Sequence, residues 1–441
     1  MQIRRMFLAV VGVVLATGTL RAQDVNLTEA PLVDKFVRNE LTLELEGKIH
    51  SKQDGKEQSF PHKASAKHVF VEKYLDAKDG IADKAARHYR VAESVIRFNN
   101  NEAAKRSLRA ERQFVVAQRA KDLVIVFSPK GMMTREEMEV TEHLDTLAVG
   151  GLLPGKSIAV GKSWSVANRA VAALCEFDGL TEQNLEGTLE SVKDDRAVVK
   201  IVGKAQGINL GAQVTMLINA RLEFDVKLQR VVYLEWKETD DRQQGPVSPA
   251  MSAEIKIQLN RTEIEEPKEL TKFALVPVPT SETPPANLTS LHYVDAKKHF
   301  EVTHARNWHV VSPDDSPQFV LRLIERGEFV AQATFTTWKK TDKAMKLEEF
   351  AALVAKTPGW VEDKEIERKE IANPTNGNQT IYRVAASGDL AGIRTVQYYY
   401  LIVGPRGDQL IVTFSVVPQH VQRLGARDVE MVREIAFPEM K

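Results

Sequence analysis

Cysteine is almost absent from this 441-residue sequence, since Cys175 is the only one. A single cysteine excludes an intramolecular disulfide and any metal site built on paired cysteines. An excess of charge of one sign is lacking as well, because 60 lysines and arginines are balanced by 60 aspartates and glutamates. A nucleic-acid-binding surface needs a basic excess, so the composition argues against a nucleic-acid partner.

Short motifs of catalysis and metal binding are also missing. The sequence has no G-x-S-x-G nucleophile motif, no HExxH or CxxC pair and no glycine-rich phosphate loop. Histidines cluster at positions 292, 299, 304 and 309, but a spacing of five along a strand directs His299 and His304 to opposite sides of a sheet. We therefore predict a protein without catalytic residues, metal or cofactor. A hydrolase whose site uses no short motif stays as an alternative.

Long apolar runs are scarce, and the most pronounced one opens the chain. Arg4 and Arg5 precede an apolar run over residues 6–16, and the tripeptide LRA at 20–22 fits a signal-peptidase site. This order is typical of a signal peptide over residues 1–22, and the run is shorter than the roughly 20 residues that span a bilayer. No later run is longer, so we expect an exported chain, periplasmic or secreted, whose mature form has no transmembrane segment. A large exported chain without disulfides favours a bacterial cell envelope.

Proline is concentrated in one stretch of the chain. Residues 267–289 contain Pro267, Pro277, Pro279, Pro284 and Pro285. Because proline cannot donate to a strand ladder or continue a helix, this composition predicts an extended, semi-rigid linker. The linker divides the mature chain into a domain at 24–266 and a domain at 290–441.

Alternation of apolar and polar residues marks the N-terminal domain. From Val214 to Val226 every even position is apolar, and most odd positions are polar. This period of two predicts a strand over 213–226, roughly 45 Å long. Further long strands are predicted at 231–239 and 252–264. Antiparallel strands of this length twist and coil, so we predict a long-stranded curved antiparallel sheet, or half-barrel.

One helix interrupts these strands. Thr134 and Glu137 fit a capping box, and apolar residues continue at helical spacing to Gly150-Gly151, which predicts a helix over 135–149. A single helix lying against a curved sheet covers its apolar face and can leave an apolar ligand groove. The residues of this possible groove are Met138, Leu144, Leu147, Met216, Ile218, Leu222 and Phe224.

Two resemblances follow from these patterns. The long strands, the single helix, LLPG at 152–155 and VGKSW at 160–164 resemble uncharacterised exported bacterial proteins with a half-barrel of the lipoprotein-carrier type. In the C-terminal domain, a predicted strand is followed by Asn-Trp at 307–308, a hairpin and a helix. Three strands near 379–387, 391–403 and 409–417 come next, and a helix near 418–434 and the tetrapeptide IAFP end the domain. This order resembles the PsbP/Mog1-like fold, which implies an α/β sandwich used as a binding and assembly module. The predicted fold class is β-rich α+β.

Two functions stay open at this point. The first is a non-catalytic two-domain envelope protein that acts as a protein-interaction or assembly module. The second is a carrier or sensor of a lipid or other apolar ligand held between the curved sheet and the helix. We also expect the basic segment 84–119 to lie on the wet face of strands, His68 to border a polar loop, and Cys175 to be a buried small apolar side chain.

Overall fold

A computed structural model describes residues 24–29, 33, 35–53, 56–78, 81–99, 101–120, 123–312, 316–340, 345–374 and 377–438. The predicted signal peptide, residues 1–22, lies outside these ranges. Large antiparallel sheets with short helices on their faces confirm the predicted β-rich α+β class. No helix within these ranges combines the length and hydropathy needed to cross a membrane.

The N-terminal part of the chain contains one large antiparallel sheet and a separate two-stranded sheet. Its strands are β1 (Val25–Asn26), β2 (Phe36–Gln53), β3 (Lys56–Lys78), β4 (Ile81–Phe98), β5 (Ala104–Ser107), β6 (Phe114–Ala120), β7 (Leu123–Phe127), β8 (Ser157–Ile158), β9 (Ser163–Ser165), β10 (Gly179–Gln183), β11 (Glu186–Lys193), β12 (Arg196–Asn209), β13 (Ala212–Asp225), β14 (Arg230–Arg242) and β15 (Ala250–Ile264). The order in the sheet is β7-β6-β4-β3-β2-β15-β14-β13-β12-β11-β9, with β5 beside β4 and β10 beside β12, while β1 pairs with β8. The sheet is open, because β7 and β9 lie at its two ends.

Alternation explains the long central strands. In β13 every even position from Ala212 to Phe224 is buried, and the intervening positions are exposed or half-buried. β13 pairs with β12 along its whole length without a register shift, from Asp225 opposite Arg196 to Ala212 opposite Asn209. The predicted strand at 213–226 is therefore confirmed to within one residue at each end. One face of the sheet carries the main core, and the other is largely solvated.

The helices of the protein are short. They are α1 (Arg135–Thr141), α2 (Asn168–Leu174), α3 (Ala286–Thr289), α4 (Leu347–Val354), α5 (Val421–Leu424) and α6 (Arg427–Arg433). The predicted capping box is present at the start of α1. The predicted extent of 135–149 is wrong, because α1 ends at Thr141 and only a 3-10 turn at Val149–Leu152 follows. The Asp145 carboxylate accepts hydrogen bonds from Leu147 N and from Arg119, both at 2.9 Å, and these bonds hold the intervening segment in turns.

The proline-rich segment lies against the sheet. Leu270 is buried in a cluster with Phe36 and Phe114, on the face opposite to the main core. Lys84 Nζ donates to Pro279 O at 2.5 Å, and Gln118 Nε2 donates to Ser281 O at 3.0 Å. The segment is thus fastened along β4 and β6 and is not a free tether.

The C-terminal part contains a seven-stranded antiparallel sheet with helices on both faces and a separate three-stranded sheet. Its strands are β16 (Leu291–Val294), β17 (Glu301–His304), β18 (Trp308–Val310), β19 (Gln318–Glu325), β20 (Glu328–Trp338), β21 (Trp360–Ile371), β22 (Thr380–Leu390), β23 (Ile393–Val403), β24 (Gln409–Val416) and β25 (Ile435–Ala436). The sheet order is β18-β19-β20-β24-β23-β22-β21, and β16, β17 and β25 form a small second sheet. α4 packs on one face of the large sheet, in a cluster with Tyr399, and α6 packs on the other, in a cluster with Tyr400.

Two C-terminal elements differ from the sequence prediction. β21 was not predicted, because most of its residues are charged and exposed, so that it shows no continuous apolar face. The helix predicted near 418–434 is broken into α5 and α6 at Gly425, whose φ of 59° falls in the left-handed region that glycine tolerates.

Candidate binding surface and buried polar cluster

A cavity of about 800 Å³ lies on the solvated face of the large sheet. It crosses six neighbouring strands, β4, β3, β2, β15, β14 and β13, and we call it the trough. A cavity of this volume against a sheet face requires that face to be concave. The trough is lined by Glu44, Leu45, Glu46, Lys63, Ala64, Ser65, Val95, Arg97, Leu217, Ile218, Asn219, Lys237, Glu238, Thr239, Glu254, Ile255 and Lys256.

Strand register arranges the walls of the trough in two rows. One row runs across the strands as Asn219, Lys237, Lys256, Glu44, Ser65 and Val95. The neighbouring row runs as Leu217, Thr239, Glu254, Glu46, Lys63 and Arg97. The residues between the rows, such as Ile218 and Leu45, point to the opposite face, so their backbone forms the floor.

Charges of both signs are interleaved along these walls. Lys63 pairs with Glu46 at 2.5 Å, and Lys237 pairs with Glu235, just outside the trough, at 2.8 Å. Exposed apolar side chains stand at the two ends, Leu217 on β13 and Val95 on β4. This mixture suits a ligand that itself carries charges of both signs and apolar side chains.

The residues of the predicted apolar groove are not brought together on one surface. Leu144, Met216, Ile218, Leu222 and Phe224 are buried in one packed cluster. Met138 and Leu147 belong to a second cluster, beside Phe70 and Tyr89. The early end of α1 causes this division, because the helix packs near β4, β5 and β7 and does not lie along β13.

An ion pair is buried on the core face of β3 and β4. Arg87 Nε donates to Glu72 Oε2 at 2.6 Å, and the two side chains are 2% and 0% exposed. Thr146 Oγ1 completes the cluster, since it accepts from Arg87 at 2.9 Å and donates to Glu72 at 3.0 Å. The adjacent carboxylate raises the pKa of the Arg87 guanidinium despite its burial, so the guanidinium stays charged.

A second buried cation fixes the N-terminal segment. Arg261 NH1 donates to the Glu29 carboxylate at 2.6 Å, and its NH2 donates to Tyr74 Oη at 2.6 Å. Glu29 also accepts from Val231 N at 3.2 Å. Burial raises the pKa of Tyr74, which keeps the phenol neutral.

Two histidine rings, tilted with respect to each other, lie close together near Arg87. His143 Nε2 lies 2.7 Å from Tyr89 Oη, and the His68 and His143 ring centroids are 4.8 Å apart. Burial lowers the pKa of His68 to about 4 and that of His143 well below its ordinary value, so both rings are neutral at pH 7. The expectations for this region were wrong in two respects: His68 is buried, and the segment 84–119 carries the buried Lys84, Arg87 and Arg119.

A carboxyl group on β14 has a raised pKa. Burial raises the pKa of Glu238 to about 7, although Trp236 Nε1 donates to it at 2.7 Å. Cys175 is buried as expected, and burial raises its pKa, so the thiol stays protonated. Within the described ranges, His, Cys, Asp and Glu side chains form no group of three placed to hold a metal ion.

Comparisons with known proteins give partial similarities. No protein-family model and no curated protein sequence matches this chain. The solution structure of cyanobacterial PsbP from Synechocystis sp. PCC 6803 is similar over 36% of this chain and 96% of its own, at 14% identity and a TM-score of 0.28. The Ran-binding protein Mog1p of Saccharomyces cerevisiae is similar over 34% of this chain and 95% of its own, at 12% identity and a TM-score of 0.27.

A lipovitellin structure is also similar, over 54% of this chain and 26% of its own, at 7% identity and a TM-score of 0.28. PsbP and Mog1 structures are thus among those similar to part of this chain, in partial agreement with the resemblance drawn from the C-terminal sequence. At these TM-scores the similarities define neither a family nor a function.

Proposed function

We propose that the protein is an exported, non-catalytic two-domain binding protein of the bacterial cell envelope. In this proposal the trough binds an extended polypeptide segment of an envelope protein. The observation that carries it is the concave solvated face with its interleaved charges, at the place where six strands meet. The C-terminal part would act beside it as a PsbP/Mog1-like assembly module.

The dimensions of the trough set the size of the segment. Six strands span five interstrand spacings, or about 24 Å, and an extended chain rises about 3.4 Å per residue. About seven residues would therefore cross the trough. Leu217 and Val95 would contact apolar side chains at the two ends. Lys237, Lys256 and Glu254 would contact charged side chains between them.

Site-specific photo-crosslinking in cells that export the protein tests this proposal. A photoreactive residue replaces Leu217 in the trough, and in a control it replaces Val361, which is exposed on β21. We expect Leu217 to crosslink to one protein, through a segment of about seven residues. Lys237→Glu with Lys256→Glu should abolish the product, whereas Lys200→Glu, exposed on β12 outside the trough, should not. Equal crosslinking from positions 217 and 361 would contradict the proposal.

The apolar-ligand carrier is a second candidate, favoured by one observation. On the core face, Leu45, Ala64 and Ile255 are only half-buried, next to the packed cluster that contains Ile218. A lipid that covers these side chains would be seen by native mass spectrometry of the purified protein. One lipid bound per chain would favour the carrier, and a lipid-free mass would favour the polypeptide-binding function.

A further inference from the structure

The two parts of the chain meet at a hydrogen-bonded contact that we call the seam, formed by Met133–Thr141 on one side and Leu291–Val310 on the other. Leu291 is buried in the N-terminal cluster that contains Met133 and Met138. The two segments also share a parallel bridge between Met133 and Leu291, and His292 N donates to Met133 O at 2.9 Å. The seam is therefore a packed junction with its own backbone hydrogen bonds.

Arginine side chains cross the seam in both directions. Arg135 NH2 in α1 donates to the carbonyl oxygens of Arg306 and Trp308, each at 2.6 Å. Arg306 Nε donates to Thr289 O at 2.7 Å, and its NH2 donates to Val126 O in β7. Both guanidinium groups thus bind uncharged carbonyl oxygens, so these partners do not neutralise their positive charges.

Two histidines lie beside these arginines. His304 on β17 is buried, with its Nδ1 3.0 Å from Ala305 O, and His309 on β18 directly follows the Trp308 carbonyl that Arg135 binds. His299 lies before β17, where its exposed ring is 3.0 Å from Asp295 Oδ2, so it does not share a strand with His304. The sequence spacing did not show that His309, across the turn between β17 and β18, interacts electrostatically with His304.

The acidic groups near the seam have other partners or face arginines. Glu139 in α1 pairs with Arg106 at 2.5 Å, and Glu301 on β17 lies 3.6 Å from His292. Glu142 at the end of α1 interacts with both Arg135 and Arg306. A proton added to His304 or His309 therefore meets the positive charge of Arg135.

These surroundings set the protonation state of the rings. Burial, and then the charge of Arg135, lower the pKa of His304 to about 4 and that of His309 to about 3. Once the seam opens, each ring returns towards its ordinary pKa of about 6.5. The open form therefore binds protons first, and closure weakens as the pH falls below about 6.5.

We propose that the seam is a pH-sensitive contact, in which protonation of His304 and His309 separates α1 from the edge formed by β16, β17 and β18. Acidification from pH 8 to pH 5 should shift the opening equilibrium by roughly 30-fold for each histidine. A second contact joins the two parts of the chain, in which Arg322 NH1 donates to Pro246 O at 2.5 Å, and it involves no histidine. We therefore expect this contact to persist and to act as the hinge while the seam opens.

Hydrogen–deuterium exchange of the whole mature chain tests this inference. After correction for intrinsic rates, peptides covering residues 291–304, which include the His292 amide, should exchange much faster at pH 5 than at pH 8. Peptides from β13 should keep their protection, which separates seam opening from unfolding. His304→Asn with His309→Asn should remove the acceleration. The matched control His50→Asn, on β2 away from the seam, should retain it.

Several results would overturn the inference. They are unchanged exchange in 291–304 at pH 5, equal acceleration in β13, and full acceleration in the double variant. If the double variant does not fold, the single variant His309→Asn can be measured in its place, because the His309 ring is only half-buried. The single variant should lose roughly 30-fold of the acceleration, and an acceleration equal to that of the unmodified chain would again refute the inference.

Discussion

Removal of one partner from the buried Glu72–Arg87 pair should destabilise the N-terminal sheet strongly. The side chains are 0% and 2% exposed, so Glu72→Gln leaves a guanidinium without a counter-charge in the core. Breaking a buried pair from one side costs about 3–5 kcal/mol. Thr146 also bonds to both side chains, and its hydroxyl cannot replace the lost charge.

The double variant Glu72→Met with Arg87→Leu should be less damaging than either single change. Replacing both partners with apolar residues of similar volume removes the stranded charge, and such replacements are often neutral or stabilising. We expect the double variant to lie within about 2 kcal/mol of the unmodified protein, which implies a coupling of several kcal/mol between the two positions.

Urea denaturation followed by circular dichroism measures these differences. The matched control is Lys237→Met, which breaks the pair with Glu235 on the solvated face, where the side chains are 52% and 24% exposed. An exposed pair is worth about 0–1 kcal/mol, so this control should shift the midpoint little. The reasoning is refuted if Glu72→Gln costs no more than the control, or if the two single costs simply add in the double variant.

Further expectations concern packing, pH and export. Ile218→Ala should cost about 2–5 kcal/mol in urea denaturation, because Ile218 is packed in a core cluster; a much smaller cost together with tight binding of an apolar dye would indicate a ligand cavity. The free energy of unfolding should fall as the pH drops from 6.5 towards 4, because burial lowers the pKa of His68 to about 4 and the unfolded state binds the proton first. This one group accounts for at most about 3 kcal/mol. Thermal melts at both pH values should show a smaller loss of stability in His68→Gln than in the unmodified protein. When the protein is expressed together with its export machinery, the N-terminus of the exported protein should lie near Gln23. N-terminal sequencing that returns Met1 would contradict the signal peptide.

The long strands could be predicted because their signal is local. β13 alternates apolar and polar residues over about a dozen positions, and β15 does so from Met251 to Leu259, and such a period fits a strand with one buried face. The capping box at Thr134 was equally local, since both of its side chains lie within one helical turn.

The end of α1 could not be predicted in the same way. Residues 142–149 keep helical spacing, but Asp145 and Thr146 bond to Arg119 and Glu72, which lie far away in the sequence. These buried polar bonds override a weak local preference for helix. The predicted groove depended on the longer helix, and it therefore joined residues that belong to two separate clusters.

The trough depends on information that single strands do not carry. Each of its strands shows exposed charged residues, but the rows exist only because Lys256 lies opposite Glu44 and Glu46 lies opposite Lys63. The first pair joins positions about 200 residues apart in the sequence, and the second joins positions about 20 residues apart. A shift of the strand register by one residue would move every side chain of that strand to the other face. The concavity likewise arises from the combined twist of six strands.

The buried ion pair is a case in which the sequence did hold a usable signal. In β3, Glu72 occupies the same alternating face as Phe70 and Tyr74, and in β4, Arg87 occupies the same face as Tyr89. A carboxylate flanked at both i−2 and i+2 by aromatic residues must enter the core with a partner, because an isolated charge there would cost far more than the fold gains locally. An arginine set in the same way on the following strand is the natural partner, since adjacent antiparallel strands place such positions opposite one another. The core face of the sheet is thus occupied by a buried ion pair at one end and by a packed apolar cluster at β13, and this favours the solvated face as the surface that binds a partner.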